Sequence, residues 1–364
     1  MVLYRLLSSQ DRRGFSSAVV SLTGPGSVGK MIAGLGVPVI SLNRRPGFPD
    51  PRLVTGLIRA IQSFRPDLLQ TWMYHSDLIG SMAVKFCGSK PVVWGLHHTI
   101  AEQQTLKAST LTVARLNAFL SARSPAKIVC CAEATRQSHL RLGYSESKMV
   151  VISNGIDPAV FRPDPFARRS VRAEIGVTAQ TRLIGLCARL DSLKDHQNFI
   201  RAAGILHQSF PNVHFVLWGL GVVPEARELR KWSSSAGVDA CIHFLGMRED
   251  SPRLMAALDL GCLSSFSEAF PLAVAEIMAC GVPCVVTNVG DTARIVGDTG
   301  RIVPSRDPVA LAEAWAELLG RSPGLRVRLG ERARRRIVEH FSLDNMAASY
   351  SQLYRDIIDN QELQ

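Results

Sequence analysis

At 364 residues, 46% hydrophobic and 20% charged, the chain has the composition of a globular protein of two domains, which excludes a disordered or fibrous one. A net charge of +11 favours an anionic partner, nucleotide phosphates or an anionic membrane face. An aromatic content of 7% and the lack of any DNA- or RNA-binding motif argue against nucleic acid. No uncharged apolar run of about 18 residues is present, so no spanning helix is expected. The opening M-V-L-Y-R-L-L-S-S-Q is too short an apolar run for a signal peptide and has no small-residue cleavage site. The eight cysteines form no C-x-x-C pair, and we read them as reduced packing residues of a cytoplasmic protein, with peripheral contact at the inner membrane face as an extension of that reading.

Strand and helix alternate from end to end, which predicts parallel sheets covered on both faces. In chain order the first half reads as a helix over 2–8, strands over 17–22 and 38–42, a helix over 50–64 and a strand over 67–72. A helix over 76–85, a strand over 91–96, a long helix over 105–122, a strand over 127–131, a helix over 134–142 and a strand over 149–152 follow. The loop from Gly24 to Met31 nearly spells a phosphate-binding P-loop. Met31 stands where that motif needs a hydroxyl for Mg²⁺, so it is read as a decoy. The helix over 105–122 carries Lys107 and Arg115, with Arg123 beyond, beside Leu111, Val113, Leu116 and Leu120. It reads as a sheet-covering helix with solvated charges, or as a basic face against a membrane. The basic run Arg334-Arg335-Arg336 is read the same way.

Asn154-Gly155 signals a turn, and Pro158, Pro163 and Pro165 are expected to deny regular structure, giving an interdomain crossover. The second half restarts the pattern, with strands over 183–187, 214–218, 242–245, 258–263, 284–287 and 301–303. Helices are expected over 196–210, 224–236, 251–257, 307–319, 324–340 and 343–361. The expected domains are 1–165, 166–342 and a closing helix, 343–364, that returns to the first.

The stretch from Ser264 to Pro304 organises the rest. Leu272, Val274, Ala275, Ile277 and Met278 fit one helix, Pro271 suits its first position, and Gly281 with Pro283 stops it before a short buried strand. The free amides and positive dipole end at the junction Ala269, Phe270, Pro271 and Leu272 suit a phosphate. Glu268 in the loop and Glu276 in the helix are acceptor-only groups suited to vicinal hydroxyls. Carboxylates flanking an anion site point to a sugar nucleotide; the plainer alternative is a buried helix with one solvated carboxylate. Arg189 and Lys194, at the end of the first strand of the second half, could neutralise a diphosphate or form ordinary surface ion pairs. At another strand end, His97-His98 could orient a substrate or take a proton, or be structural.

This stretch resembles the donor-sugar motif of family 4 retaining glycosyltransferases, E-x7-E followed by G-x-P and V-V-x-x-x-x-G. Here these are Glu268, Glu276, Gly281-Val282-Pro283 and Val285-Val286, with Gly290 one position early. Arg189-Leu190 and Lys194 resemble the family's G-R-L-x-x-x-K, with Ala188 for its Gly. Gly219 and Gly221 resemble its G-x-G turn, Phe244-Leu245-Gly246-Met247 its F-x-G segment, and Asn154, Gly155, Asp157 and Phe161 its linker.

The resemblance implies a GT-B fold, two Rossmann-like doubly wound domains facing a cleft, and a hexosyl- or glycosyltransferase. Glu276 would take the ribose hydroxyls, Glu268 the donor sugar, Arg189 and Lys194 the diphosphate; Gly219 would be donor-binding, and Met247, with the F-x-G segment, would contact the base. His98, together with Glu268, would be catalytic. Trp72, Tyr74 and His97 would line the acceptor side. The expected substrates are a UDP- or GDP-sugar and a glycan or lipid-linked glycan, with no further cofactor and no metal. The family opens with a strand and a Gly-Gly turn before its first helix, so the first domain is expected to be N-terminally truncated here. An epimerase of the same fold, a non-catalytic nucleotide-binding remnant and a P-loop NTPase are the competing readings.

Overall fold

In the computed structural model, whose described residues are 1–10, 14–44, 52–100 and 107–362, the chain divides into two compact units. One is Met1–Gly155 with Leu343–Gln364, the other Ile156–Ser342. The first unit runs α1 (Val2–Ser9), β1 (Val19–Ser21), α2 (Gly26–Gly34), β2 (Val39–Ser41), α3 (Arg52–Phe64), β3 (Leu69–Gln70), α4 (Tyr74–Val84), β4 (Val92–Leu96), α5 (Ala108–Leu120), β5 (Lys127–Cys130), α6 (Glu133–Arg141) and β6 (Met149–Val151). Its strands form two parallel sheets, β1–β2 and β3–β4–β5–β6. The uninterrupted run Val92-Val93-Trp94-Gly95-Leu96 is buried throughout, as a central strand covered on both faces requires. The helix expected over 105–122 begins at Ala108; Thr105, like Asp50 of the helix expected over 50–64, lies outside the described residues.

The second unit opens with α7 (Pro165–Glu174), which corrects the expectation that Pro165 denies regular structure. Proline has no N–H to lose in the first turn of a helix, and the Asp164 carboxylate accepts from the Phe166 and Ala167 amides, both at 2.9 Å. There follow β7 (Arg182–Cys187), α8 (His196–Ser209), β8 (Val213–Trp218), α9 (Arg227–Ala236), β9 (Ile242–Phe244), α10 (Ser251–Ala257), β10 (Leu260–Leu263), α11 (Leu272–Ala279), β11 (Cys284–Thr287), α12 (Thr292–Val296), β12 (Arg301–Val303), α13 (Pro308–Gly320) and α14 (Pro323–His340). Pro271 caps α11 rather than opening it, and the five-residue α12 has no counterpart in the sequence reading. The last helix, α15 (Leu343–Glu362), packs in the first unit, where Leu343, Met346 and Tyr350 join Leu6, Val93 and Val129 in one apolar cluster.

The second unit's strands lie in the order β12–β11–β10–β7–β8–β9, all parallel. The order reverses between β7 and β10, so the crevice beyond their carboxyl ends is where a doubly wound sheet takes a ligand. The unit begins at Ile156, ten residues before the expected boundary. Ile156 forms a parallel bridge with Ser342, and the Arg334 guanidinium donates to the carbonyls of Phe161 (2.9 Å), Pro158 (3.1 Å) and Ala279. The basic run of α14 is thus not simply solvated: Arg334 ties down the connecting segment, and Arg336 donates to the carbonyls of Ile295 and Arg294.

Candidate functional site

Three loops meet at the switch point of the second unit. After β7 the chain passes through Ala188 and Arg189 into a short 3-10 turn, Ser192–Lys194. The Asp191 carboxylate opens that turn by accepting from the Leu193 amide (2.9 Å) and also from Arg189 Nε (3.1 Å). Burial opposes ionisation of Asp191, but these bonds prevail and hold its carboxyl below the usual range. After β10, Ser264 Oγ donates to the Lys194 carbonyl (2.9 Å) and the Phe266 amide donates to the Leu193 carbonyl (3.0 Å). The loop carrying Glu268 is therefore stitched to the turn carrying Lys194.

That stitching brings the side chains together. Lys194 Nζ lies 2.5 Å from Glu268 Oε1, and Ser265 Oγ donates to the same oxygen at 2.8 Å. The Glu268 side chain is 10% exposed and Lys194 21%, so the pair is largely desolvated. Cys187, at the end of β7, is pushed up to about 12 by burial; Glu276 adds to the shift and Lys194 opposes it. Glu276 of α11 and Lys194 thus both act electrostatically on the Cys187 thiol. Sequence reasoning missed the supporting groups Ser265, Asp191 and Cys187. Ser265 and Asp191 stand within three residues of the residues they hold.

Two glycines explain why the other loops approach so closely. Gly219, at φ +146°, lies where a Cβ would come within 2.2 Å of the Ala188 carbonyl oxygen, so the turn after β8 can pack on the Arg189 loop only without a side chain. Its amide donates to the Gly246 carbonyl at 2.8 Å, which links the turn to the loop carrying Met247, itself 71% exposed. Gly290, at φ +56°, lies where a Cβ would meet the carbonyl oxygens of Ala269 and Glu268, each at 2.6 Å, and the next amide, of Asp291, donates to Ala269 O at 3.0 Å. The Gly290 turn thereby presses on the backbone of the Glu268 loop. Phe270 is buried against Phe341 at 5.7 Å, so its side chain packs inward and it is left with its backbone to offer a ligand. Ala269 and Leu272 are half-buried beside it, and Pro271 has no N–H.

In the first unit the expected residues gather at the carboxyl ends of β3 and β4. Trp72 stacks on His97 with ring centroids 4.5 Å apart and on Tyr350 at 6.3 Å. The Met73 amide donates to the Gly95 carbonyl (2.8 Å), while the His97 amide donates to Met73 Sδ (3.4 Å). Met73 holds φ +72° there, a strained value for a residue with a side chain. Burial lowers the His97 pKa to about 4, so the ring is neutral at neutral pH. Neither of its nitrogens has a hydrogen-bond partner among the described residues. His98 follows, half-buried and close enough to His139 to depress that histidine's basicity.

Tyr74 is a correction. It opens α4 with its side chain 2% exposed, and its hydroxyl donates to His139 Nε2 (2.9 Å), because His139 Nδ1 already donates to the Thr135 carbonyl (2.7 Å). A buried, paired hydroxyl cannot line an acceptor pocket. Among the described residues no group of three or more His, Cys, Asp or Glu side chains is arranged to hold a metal ion. Among the described residues no helix is long and apolar enough to cross a membrane.

Comparison with known proteins bears on the family and the fold. The family model described as "Glycosyltransferase Family 4" matches residues 1–160, and the one described as "Glycosyl transferases group 1" matches residues 181–321. The chain is 33% identical over 229 residues to a D-inositol 3-phosphate glycosyltransferase of Corynebacterium glutamicum, an alignment covering 59% of this chain and 53% of the relative. It is 27% identical over 190 residues to an N-acetyl-alpha-D-glucosaminyl L-malate synthase of Bacillus anthracis, covering 52% and 49%. The chain thus spans about half the length of these curated relatives. Among solved structures, HepE of Anabaena in complex with UDP and glucose superposes with a TM-score of 0.83 at 22% identity, covering 98% of this chain and 95% of that one. A sucrose-phosphate synthase of Thermosynechococcus elongatus does so at 0.78 and 20%, covering 98% and 92%. These neighbours fix the two-domain α/β architecture.

Proposed function

The chain belongs to the group 1, family 4 glycosyl transferases, and from that premise we propose that it moves a sugar from a UDP- or GDP-sugar to a hydroxyl of a glycan or lipid-linked glycan, retaining the anomeric configuration. What supports the reading is the Lys194–Glu268 pair, which joins the loops after β7 and β10 at the switch point of the sheet, with Arg189 and Glu276 as the further candidate donor residues. Two cations, the amides at the start of α11 and two carboxylates there match the phosphates and hydroxyls of a sugar nucleotide.

In this reading Glu276 accepts from the ribose hydroxyls. The donor diphosphate replaces Glu268 as the partner of Lys194, and Glu268 turns to the hydroxyls of the sugar. The bond from the anomeric carbon to the diphosphate oxygen breaks and the bond to the acceptor oxygen forms on the same face. The acceptor proton passes to the departing phosphate. Arg189, Lys194 and the α11 amides stabilise the charge that develops on the diphosphate, the work that a bound cation does in other phosphate transfers. Within the first unit, His98 is the candidate catalytic residue, with Trp72 and His97 as candidate acceptor-side residues.

The test is incubation with a panel of UDP- and GDP-sugars and a lipid-linked or glycan hydroxyl acceptor, reading the anomeric coupling of the product by NMR. A product with the donor's anomeric configuration is the expected result. An inverted product contradicts retention, and an epimerised sugar nucleotide formed without acceptor establishes the epimerase alternative.

A further inference from the structure

The first unit ends three neighbouring helices in the same way. Helices α3, α4 and α5 pack in succession and lead into β3, β4 and β5, which are parallel neighbours. The three helices therefore finish at one end of the unit, at the amino ends of those strands. Each finishes on an exposed aromatic: Phe64 closes α3 at 38% exposure, Phe86 follows the last residues of α4 at 69%, and Phe119 lies in the last turn of α5 at 76%. Met82 and Leu116, one turn earlier on α4 and α5, are exposed as well. Exposed apolar side chains gathered at one end of a unit are the kind of surface that marks an interaction site.

Its charge says which. Arg65, Lys85, Arg115 and Arg123 stand exposed among these apolar side chains. Among the described residues from 52 to 132, the only carboxylates are Asp67 and the fully buried Asp77. On α5 the exposed positions Arg115, Leu116 and Phe119 share one face, while Ala114, Asn117 and Ala118 face inward, and Arg123 is exposed in the turn just beyond the helix. Aromatic and aliphatic tips rimmed mainly by cations, with Glu146 in the turn beside α5 already paired to Arg136, match the interface of an anionic bilayer, where the rings enter the headgroup region and the cations meet lipid phosphates. Arg115 and Arg123 of the basic face noted in the sequence are thus part of a larger surface whose apolar members come from α3 and α4 as well, while Lys107 stands at the opposite end of α5.

We propose that this end of the first unit docks on an anionic lipid bilayer through Phe64, Phe86 and Phe119, with Arg65, Lys85, Arg115 and Arg123 against the headgroups. This goes beyond the proposed function: the surface lies at the amino ends of β3, β4 and β5, whereas Trp72 and His97 stand at the carboxyl ends of β3 and β4, and docking is measurable without turnover.

The experiment is flotation of the full chain with phosphatidylcholine vesicles, with and without phosphatidylglycerol. The expected result is co-flotation only with the anionic vesicles, weakened by added salt. Each cation reversed should cost roughly fivefold in partitioning, from ~1 kcal/mol per basic residue near the surface. The pairs Phe86→Ser/Phe119→Ser and Arg115→Glu/Arg123→Glu should each lose binding by at least about tenfold. Both pairs should keep the parent's Tm and its stabilisation by UDP, since the four side chains are exposed. A chain that stays at the bottom of the gradient with anionic vesicles overturns the proposal. So does a Phe86→Ser/Phe119→Ser protein that floats as the parent does. Flotation without turnover would retain the docking surface and count against the transferase reading alone.

Discussion

Lys194 and Glu268 satisfy one another: Nζ sits 2.5 Å from Oε1 while Ser265 holds the same carboxylate oxygen. A donor must therefore exchange with this pair rather than enter beside it. Lys194→Met removes the cation and should weaken UDP roughly 10- to 100-fold, the range for a hydrogen bond to a charged group. Glu268→Gln instead releases the ammonium, so UDP alone should bind at least as well as to the parent, while turnover of the sugar-bearing donor falls. Titration calorimetry with UDP, set beside steady-state rates, separates the two. Equal loss of UDP affinity in both variants contradicts the exchange.

Glu276 sits on α11 and adds to the upward shift of the Cys187 thiol. Replacing Glu276 with Ala should cost roughly 1.5–3 kcal/mol of nucleotide binding and leave phosphate or pyrophosphate binding little changed, since the ribose is absent from those ligands. The same loss for pyrophosphate as for UDP would place Glu276 on the wrong part of the donor.

The loop contacts make a stability prediction. Gly219→Ala introduces a Cβ that meets the Ala188 carbonyl oxygen and must also hold φ +146°, at a cost of about 2–4 kcal/mol. Gly237→Ala at the end of α9 shares the positive φ but has nothing within 4 Å of the new methyl, so about 1 kcal/mol is expected. Urea denaturation of the two variants should rank them in that order, and equal costs would show that the close approach carries no weight.

Buried histidines set an acid limit. Burial lowers His97, His139 and His196 to about 4 each. The unfolded chain takes up these protons near pH ~6.5 and the folded chain only near pH ~4, so in that window the unfolded state holds more protons. Stability is therefore full above the window and falls as pH drops through it, by up to about 1.4 kcal/mol per pH unit for each histidine. Urea midpoints measured across the window should show this slope, and His139→Gln should make it shallower. An unchanged slope in that variant would remove His139 from the account.

Much of the second unit was legible in the sequence, because its strands are continuous apolar runs closed by glycine and proline and its helices have the right period. Asp164-Pro165 was misread because proline was taken as a breaker, although a capping aspartate before it makes it a helix start. The α12 helix was too short to leave a period. Arg334 looked like one of three surface arginines; that it reaches the Phe161 carbonyl depends on tertiary packing, which spacing does not encode. The candidate donor residues could be named one by one, but their pairing could not, since the Lys194–Glu268 contact spans 74 positions. Tyr74 was misassigned for a similar reason: strand-end position suggested a pocket, whereas the hydroxyl is buried on His139.

The most direct test is a thermal-shift panel with UDP, GDP, ADP and ATP on the parent chain and on Glu276→Ala. At about 100 times its dissociation constant a ligand adds about 2.7 kcal/mol of stability, enough for a clear rise in Tm. A rise with UDP or GDP that Glu276→Ala abolishes is the predicted result. A rise with ATP that is indifferent to Glu276, or no rise with any of the four, would contradict a sugar-nucleotide site between β7 and β10.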